Sequence, residues 1–224
     1  MKSFNWLLVL SVLSCIGCSS PVHEDGRGCA FVSDSIQYRV EFMSAGCVRI
    51  LSFPEGDTLV TKRLVGDSEK PAFKDYKWED TGQKLLFRTR ELSVVFDKAD
   101  AAFIFQETST GKLLLKEKGD RKARNFKRSV AGGEQCLEVT QRFVPTEDEA
   151  IYGLGQYQNG IMNYRGKSVL LLQANMDIVN PFLISTNGYG VLWDNYSSTK
   201  FEDTKEGYSF TSEVGDASDY YFVY

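Results

Sequence analysis

The chain of 224 residues contains a single histidine, His23, and it lies in a polar lead segment outside any strand pattern. That excludes Ser-His-Asp and Cys-His catalysis and any metal site built on two histidines. The sequence has no phosphate-cradling loop. It has no dinucleotide fingerprint either, because Gly153 and Gly155 have the wrong continuation. No paired-cysteine zinc spacing occurs outside the first twenty residues, so neither a metal nor a cofactor is expected. No amphipathic helix of convincing length, internal repeat or low-complexity segment is present.

Net charge is also small. The formal net charge is −4, which gives a nucleic-acid partner no electrostatic basis. Hydrophobic residues make up 42 % and charged residues 25 %, an ordinary globular balance that argues against disorder. Length allows one large β domain or two small ones.

The first residues are expected to be an export signal. Lys2 supplies a positive start, and the apolar run Leu7 to Leu13 is too short to span a bilayer. Val12-Leu13-Ser14 before Cys15 and Cys15-Ile16-Gly17 before Cys18 both resemble a bacterial lipobox; a plain secretory signal is the third reading. Ser19-Ser20-Pro21 suits a surface tether, so residues 1–18 read as a lipoprotein signal with Cys18 the lipidated residue, and residues 19–30 as a polar tether. A lipid there would hold the protein on a membrane of the bacterial envelope, facing the periplasm or the outer surface, without a spanning helix. Cys29, Cys47 and Cys136 remain, an odd number in apolar surroundings that reads as core packing.

Residues 31–224 read as one all-β domain. Ile36, Tyr38, Val40 and Phe42 alternate with Gln37, Arg39 and Glu41, the pattern of a half-buried strand. Val48 to Phe53 follows as a second strand, and Val65 to Lys74 as a long polar connection. Short strands then succeed one another between turn residues: Leu92, Val94 and Phe96 in phase, Phe103 and Phe105 in phase, then Leu113 to Leu115. The basic run Lys116 to Arg128 reads as a solvated loop, since only Phe126 interleaves it with an aromatic ring. Glu147-Asp148-Glu149 lacks the spaced oxygens of a calcium loop and reads as a turn. The whole points to an antiparallel β-sandwich.

The most informative stretch is Ile151 to Asn195. Tyr152-Gly153-Leu154-Gly155-Gln156 opens it, and Tyr164-Arg165-Gly166-Lys167 follows. Val169 to Leu172 reads as a buried strand ending in the polar cluster Gln173-Ala174-Asn175-Met176-Asp177, at a rim where a ligand could meet it. Pro181 to Ser185 and Gly188-Tyr189-Gly190-Val191-Leu192-Trp193-Asp194-Asn195 close the stretch. Asp177 and Asp194 are the nearest candidates for a carboxylate pair, although sequence does not show them facing each other. Asp194 reads more simply as a strand-end turn cap.

These elements, in this order, resemble glycoside hydrolase family 31, the α-glucosidase and α-xylosidase family. Tyr152 to Gln156 resembles the family's Gly-x-Gly-Glu/Gln element, and Tyr164-Arg165-Gly166 its arginine-glycine element. Asn175-Met176-Asp177 stands at its Asn-Thr-Asp segment, with Met176 where threonine is usual. Gly215 to Phe222 resembles the last stretch before the family's (β/α)8 barrel. Gln156 and Gln173-Ala174 are most similar to the bacterial α-xylosidase branch. The resemblance implies a galactose-mutarotase-like β-sandwich that packs on a barrel following Tyr224 and lends it a loop, with Asp177 and then Asn175 nearest the sugar. The enzyme would cleave terminal α-linked xylose or glucose from oligo- or polysaccharides with retention. Its reactive aspartates would lie on the barrel, so no catalytic residue is expected here, and the 224-residue chain alone would be inactive. The competing reading is a stand-alone surface carbohydrate-binding lipoprotein, which would need exposed aromatic rings; Trp78 and Trp193 both sit in strand-like patterns where core packing is commoner.

Overall fold

The computed structural model describes residues 21–57, 59 and 72–224. The proposed signal with Cys15 and Cys18, and the Val65–Lys74 connection up to residue 71, lie outside them. In chain order the strands are β1 (His23–Glu24), β2 (Cys29–Ser33), β3 (Ile36–Ser44), β4 (Cys47–Pro54), β5 (Lys77–Asp80) and β6 (Lys84–Arg88). Next come β7 (Leu92–Asp97), β8 (Ala102–Glu107), β9 (Leu113–Glu117), β10 (Arg124–Ala131), β11 (Glu134–Val144) and β12 (Ile151–Gln156). The last are β13 (Ser168–Leu171), β14 (Ile178–Ser185), β15 (Tyr189–Trp193), β16 (Thr199–Thr204), β17 (Gly207–Gly215) and β18 (Ser218–Val223). No helix occurs among the described residues.

Two antiparallel sheets stack as a sandwich, the expected fold. The first has eight strands in the order β1-β2-β3-β4-β18-β15-β14-β12. The second has ten, running β13-β16-β17-β11-β9-β8-β7-β6-β5 with β10 added beside β11. Alternation explains the layers: Tyr38, Val40 and Phe42 of β3 point inward and are buried, as are Val94 and Phe96 of β7. Aromatic rings fill the space between. Phe31, Tyr38, Phe96 and Phe103 pack together and connect through Phe105 and Tyr220 to Phe143, Tyr208, Phe201 and Phe210. Trp193 stacks on Phe210 at 5.6 Å and donates its Nε1–H to Ser212 Oγ at 2.8 Å.

The structure differs from the sequence reading in three places. The polar tether does not run to residue 30: β1 and β2 already belong to the first sheet, and Cys29 is fully buried. Asp25 makes the turn between them, accepting from the Arg27 and Gly28 amides and pairing with Arg39. Arg39 holds the Asp25 carboxyl at about 2, against a residual burial penalty. Second, the basic run is only partly a loop. Arg124 begins β10, and its guanidinium is buried against Glu117 of β9. Third, Val169 to Leu172 is not a buried strand: β13 is the edge of its sheet, paired only to β16, and Leu170 and Leu172 are exposed.

Glu117 organises a polar centre that joins both sheets. It accepts from Gln141 Nε2 and Tyr220 OH, both at 2.8 Å, and from the Phe103 amide at 2.7 Å, besides Arg124. Arg124 also donates to the Tyr38 hydroxyl at 2.9 Å and lies 4.9 Å from that ring's centroid. Burial alone would lower the Arg124 pKa, but Glu117 and the tyrosines hold it above its usual value.

Candidate functional site

The Gly-Leu-Gly element is a β-bulge. Register between β12 and β14 slips between Gly153 and Gly155, and all three residues have positive φ, including Leu154 at 64°. The bulge drops Leu154 fully into the core. Both glycines are required by space as well. A Cβ on Gly153 would stand 2.5 Å from the Phe182 carbonyl oxygen, and one on Gly155 only 2.0 Å from that of Ile178. This contact fixes where β14 starts, and therefore where the loop before it is aimed.

That loop joins β13 of one sheet to β14 of the other. Ala174 and Asp177 pair across a two-residue turn, with Asp177 N donating to Ala174 O at 3.2 Å. Asn175 and Met176 form the tip; Met176 takes φ 69° and is 65 % exposed. A left-handed φ disfavours β-branched residues, so an unbranched side chain suits this position. Gln173 is spent on the scaffold: its amide donates to Asp177 O at 2.8 Å and accepts from Val179 N at 3.1 Å. Among the described residues no hydrogen bond to the Asn175 amide or the Asp177 carboxylate is made, so both remain available to a ligand's hydroxyl groups. Asp177 is close enough to help burial raise the Tyr157 hydroxyl to about 12.

The arginine-glycine element braces the other side of β12. Arg165 Nε meets Asp203 Oδ2 of β16 at 2.9 Å, and the Gly166 amide meets the same oxygen at 2.6 Å. Arg165 Nη1 donates to the Thr146 and Glu149 carbonyls, both at 3.1 Å. Asn163 accepts from Ile151 N at the start of β12. The element is a clamp between the sheets rather than a ligand group.

Beside the tip lies a cleft of about 560 Å³ lined by Leu172, Gln173, Val179 and Asn180 from one side and the 194–198 loop from the other. Tyr196, 76 % exposed, stands at its edge, an aromatic that carried no pattern in the sequence. Asn195 shapes that loop as an Asx turn, accepting from Ser197 N at 2.8 Å and donating to Val214 O at 3.1 Å. Asp194 is buried at the strand end, and its backbone N–H donates to Asp219 O, which carries the β15–β18 pairing one bond further. Asp194 lines the cleft and Asp177 does not. Trp193 is buried, whereas Trp78 is half-buried against the core and donates its Nε1–H to Glu24 at 3.0 Å.

A sequence model of the glycosyl hydrolase 31 N-terminal galactose mutarotase-like domain matches residues 37–202. The chain belongs to glycoside hydrolase family 31. An α-xylosidase of Saccharolobus solfataricus is 32 % identical over 205 residues, 85 % of this chain but 26 % of that protein. The crystal structure of the family 31 α-xylosidase of Xanthomonas citri superposes with a TM-score of 0.71 at 31 % identity, over 82 % of this chain and 20 % of that one. A family 31 α-xylosidase from a soil metagenome, solved with xylose, has the same fold, with a TM-score of 0.76 at 23 % identity over 91 % of this chain and 32 % of the other. The chain thus spans about a quarter of the length of the curated α-xylosidase it matches. Within family 31 it corresponds to the N-terminal β-sandwich, which places the bulge, clamp and tip in the part that precedes the remainder of those enzymes.

Proposed function

We propose that the chain is the N-terminal β-sandwich of a retaining α-glycosidase, an α-xylosidase or α-glucosidase, that removes terminal α-linked sugars from oligo- or polysaccharides. Its work is to support a catalytic (β/α)8 barrel and to lend the substrate pocket one loop. The observation that carries this reading is the Asn175–Asp177 turn: an exposed tip, set by a glycine bulge, with a carboxylate and an amide that the scaffold does not use. Asp177 and then Asn175 are assigned to sugar hydroxyls through hydrogen bonds. The α-xylosidase relatives favour xylose as the sugar.

The test is Asp177→Ala in the polypeptide read on through the same frame. Losing a charged hydrogen bond of about 1.5–3 kcal/mol lowers kcat/KM on short α-xylosides roughly ten- to a hundred-fold. Unchanged kinetics would remove the loop from the pocket. The 224-residue chain by itself should leave α-glycosides intact, and tight saturable sugar binding by it would favour a stand-alone binding module instead.

The lead segment extends the proposal to the cell envelope. Export with lipidation at Cys18 would anchor the enzyme to a bacterial membrane without a spanning helix. Cys18→Ser should then abolish metabolic labelling with palmitate and release the protein from membranes; labelling that persists would point to Cys15 or to another anchor.

A further inference from the structure

The cleft beside the Asn175–Asp177 tip has a chemistry of its own. Leu172, Val179, Pro181 and Leu192 give it apolar walls, and all four are exposed or half-buried. Among the described residues that line it, only Asp194 is charged, so a phosphate or another strongly anionic ligand finds no cation there. Asn180 lines it too, exposed, and its side-chain amide makes no hydrogen bond among the described residues. The volume of about 560 Å³ falls within the span of small-molecule sites, roughly 300–1,000 Å³.

Tyr196 completes the cleft. A single exposed ring is ordinary on a protein surface. This one is held in place. The Asn195 carboxamide accepts from Ser197 N at 2.8 Å and Ser197 Oγ at 2.9 Å, and donates to Val214 O at 3.1 Å. Ser197 Oγ in turn accepts from Val214 N at 3.1 Å, and Ser198 O accepts from Glu213 N at 3.0 Å. The residues on either side of Tyr196 are thus tied to β17, while its ring stays 76 % exposed and its hydroxyl has no hydrogen bond among the described residues. A ring already fixed loses little freedom when a ligand lies on it. Apolar walls, a fixed aromatic ring and an unused amide suit a neutral molecule with C–H faces and hydroxyl edges, which describes a sugar. On its other side Tyr196 borders a larger hollow whose walls carry Arg49, Arg128, Asp57 and Glu134; so charged a lining suits a neutral sugar less.

Position says which sugar. Leu172 and Val179 stand just before and just after the 173–178 segment that carries the tip. Gln173 lines the cleft while its amide holds Asp177 O and Val179 N, so cleft and tip are continuous. A terminal unit that is cut has a single neighbour, the leaving group. We infer that this cleft binds the leaving-group portion of an α-linked oligosaccharide, with Tyr196 stacked on a sugar ring and Asn180 bonded to its hydroxyls. Tyr196 then sets a preference for oligosaccharides over short substrates. The inference rests on the reading that the tip meets the sugar being removed.

The test compares two substrates in the polypeptide read on past Tyr224. One is α-xylosyl fluoride, whose leaving group has no sugar; the other is a gluco-oligosaccharide ending in α-linked xylose. Tyr196→Ala is expected to lower the ratio of kcat/KM for the oligosaccharide to that for the fluoride about ten-fold, chiefly through KM, the scale of one lost aromatic contact. Both substrates meet the same enzyme, so any loss of folded protein cancels from the ratio. Tyr196→Phe keeps the ring and should restore the ratio. A ratio that Tyr196→Ala leaves unchanged or raises, or that Tyr196→Phe fails to restore, overturns the assignment of the cleft; an enzyme that still cuts both substrates leaves the functional reading standing. A frame that stops at Tyr224, or a longer polypeptide inactive on the xylosyl pair and on the corresponding glucosyl pair, overturns that reading and this inference with it.

Discussion

Gly155 allows no substitute. Its φ of 119° is open to glycine, and a methyl group there would meet a backbone oxygen 2.0 Å away that cannot move without shifting β14. Gly155→Ala is therefore expected to cost about 1–3 kcal/mol in urea unfolding and to loosen the Asn175 tip. A loss under about 0.5 kcal/mol would mean that the bulge relaxes freely. At this scale the sequence was readable in part. The two glycines and the polar cluster could be picked out from their neighbours. What each does could not, because Gln173 looks as much like a ligand as Asp177 until its amide is seen holding Asp177 O and Val179 N. Tyr196 gave no signal, since exposure of one ring in a loop depends on what lies around it.

Among the elements, β3, β7 and β8 follow from plain alternation because each has one face in the core. β13 and β10 do not. The four apolar residues Val169 to Leu172 look buried, but an edge strand exposes alternate members, and being at the edge is a property of the sheet order. The charge-rich Lys116–Arg128 run looks solvated, yet Arg124 is buried because Glu117 lies in reach across the β9–β10 connection. Removing that carboxylate leaves a guanidinium unpaired in the core. Glu117→Gln is expected to destabilise the domain by about 3–5 kcal/mol, and Glu117→Gln with Arg124→Met to recover much of the loss. Chemical denaturation of the single and double variants decides this; additive losses would deny any coupling between the two.

Across the whole molecule, the last strand holds the first sheet together. β18 lies between β4 and β15, so the N-terminal strands β1 to β4 join β15, β14 and β12 only through it. Arg49 of β4 and Asp219 of β18, 170 residues apart, fasten that joint. A chain stopped after Ala217 should lose cooperative unfolding and bind hydrophobic dye, as measured by near-ultraviolet circular dichroism and fluorescence. A sharp two-state transition in that chain would show that the sheet closes without its central strand. Such long-range pairing is invisible to local pattern, which is why a sandwich could be read from the sequence while its strand order could not.

The junction at Glu117 also bears on how such a domain can change over generations. One carboxylate answers to a guanidinium, an amide, a phenol and a main-chain N–H drawn from four separate strands. No single exchange there leaves the others content, so drift at Glu117 and Arg124 should be locked. Descendants are expected either to keep both residues or to have replaced the two together.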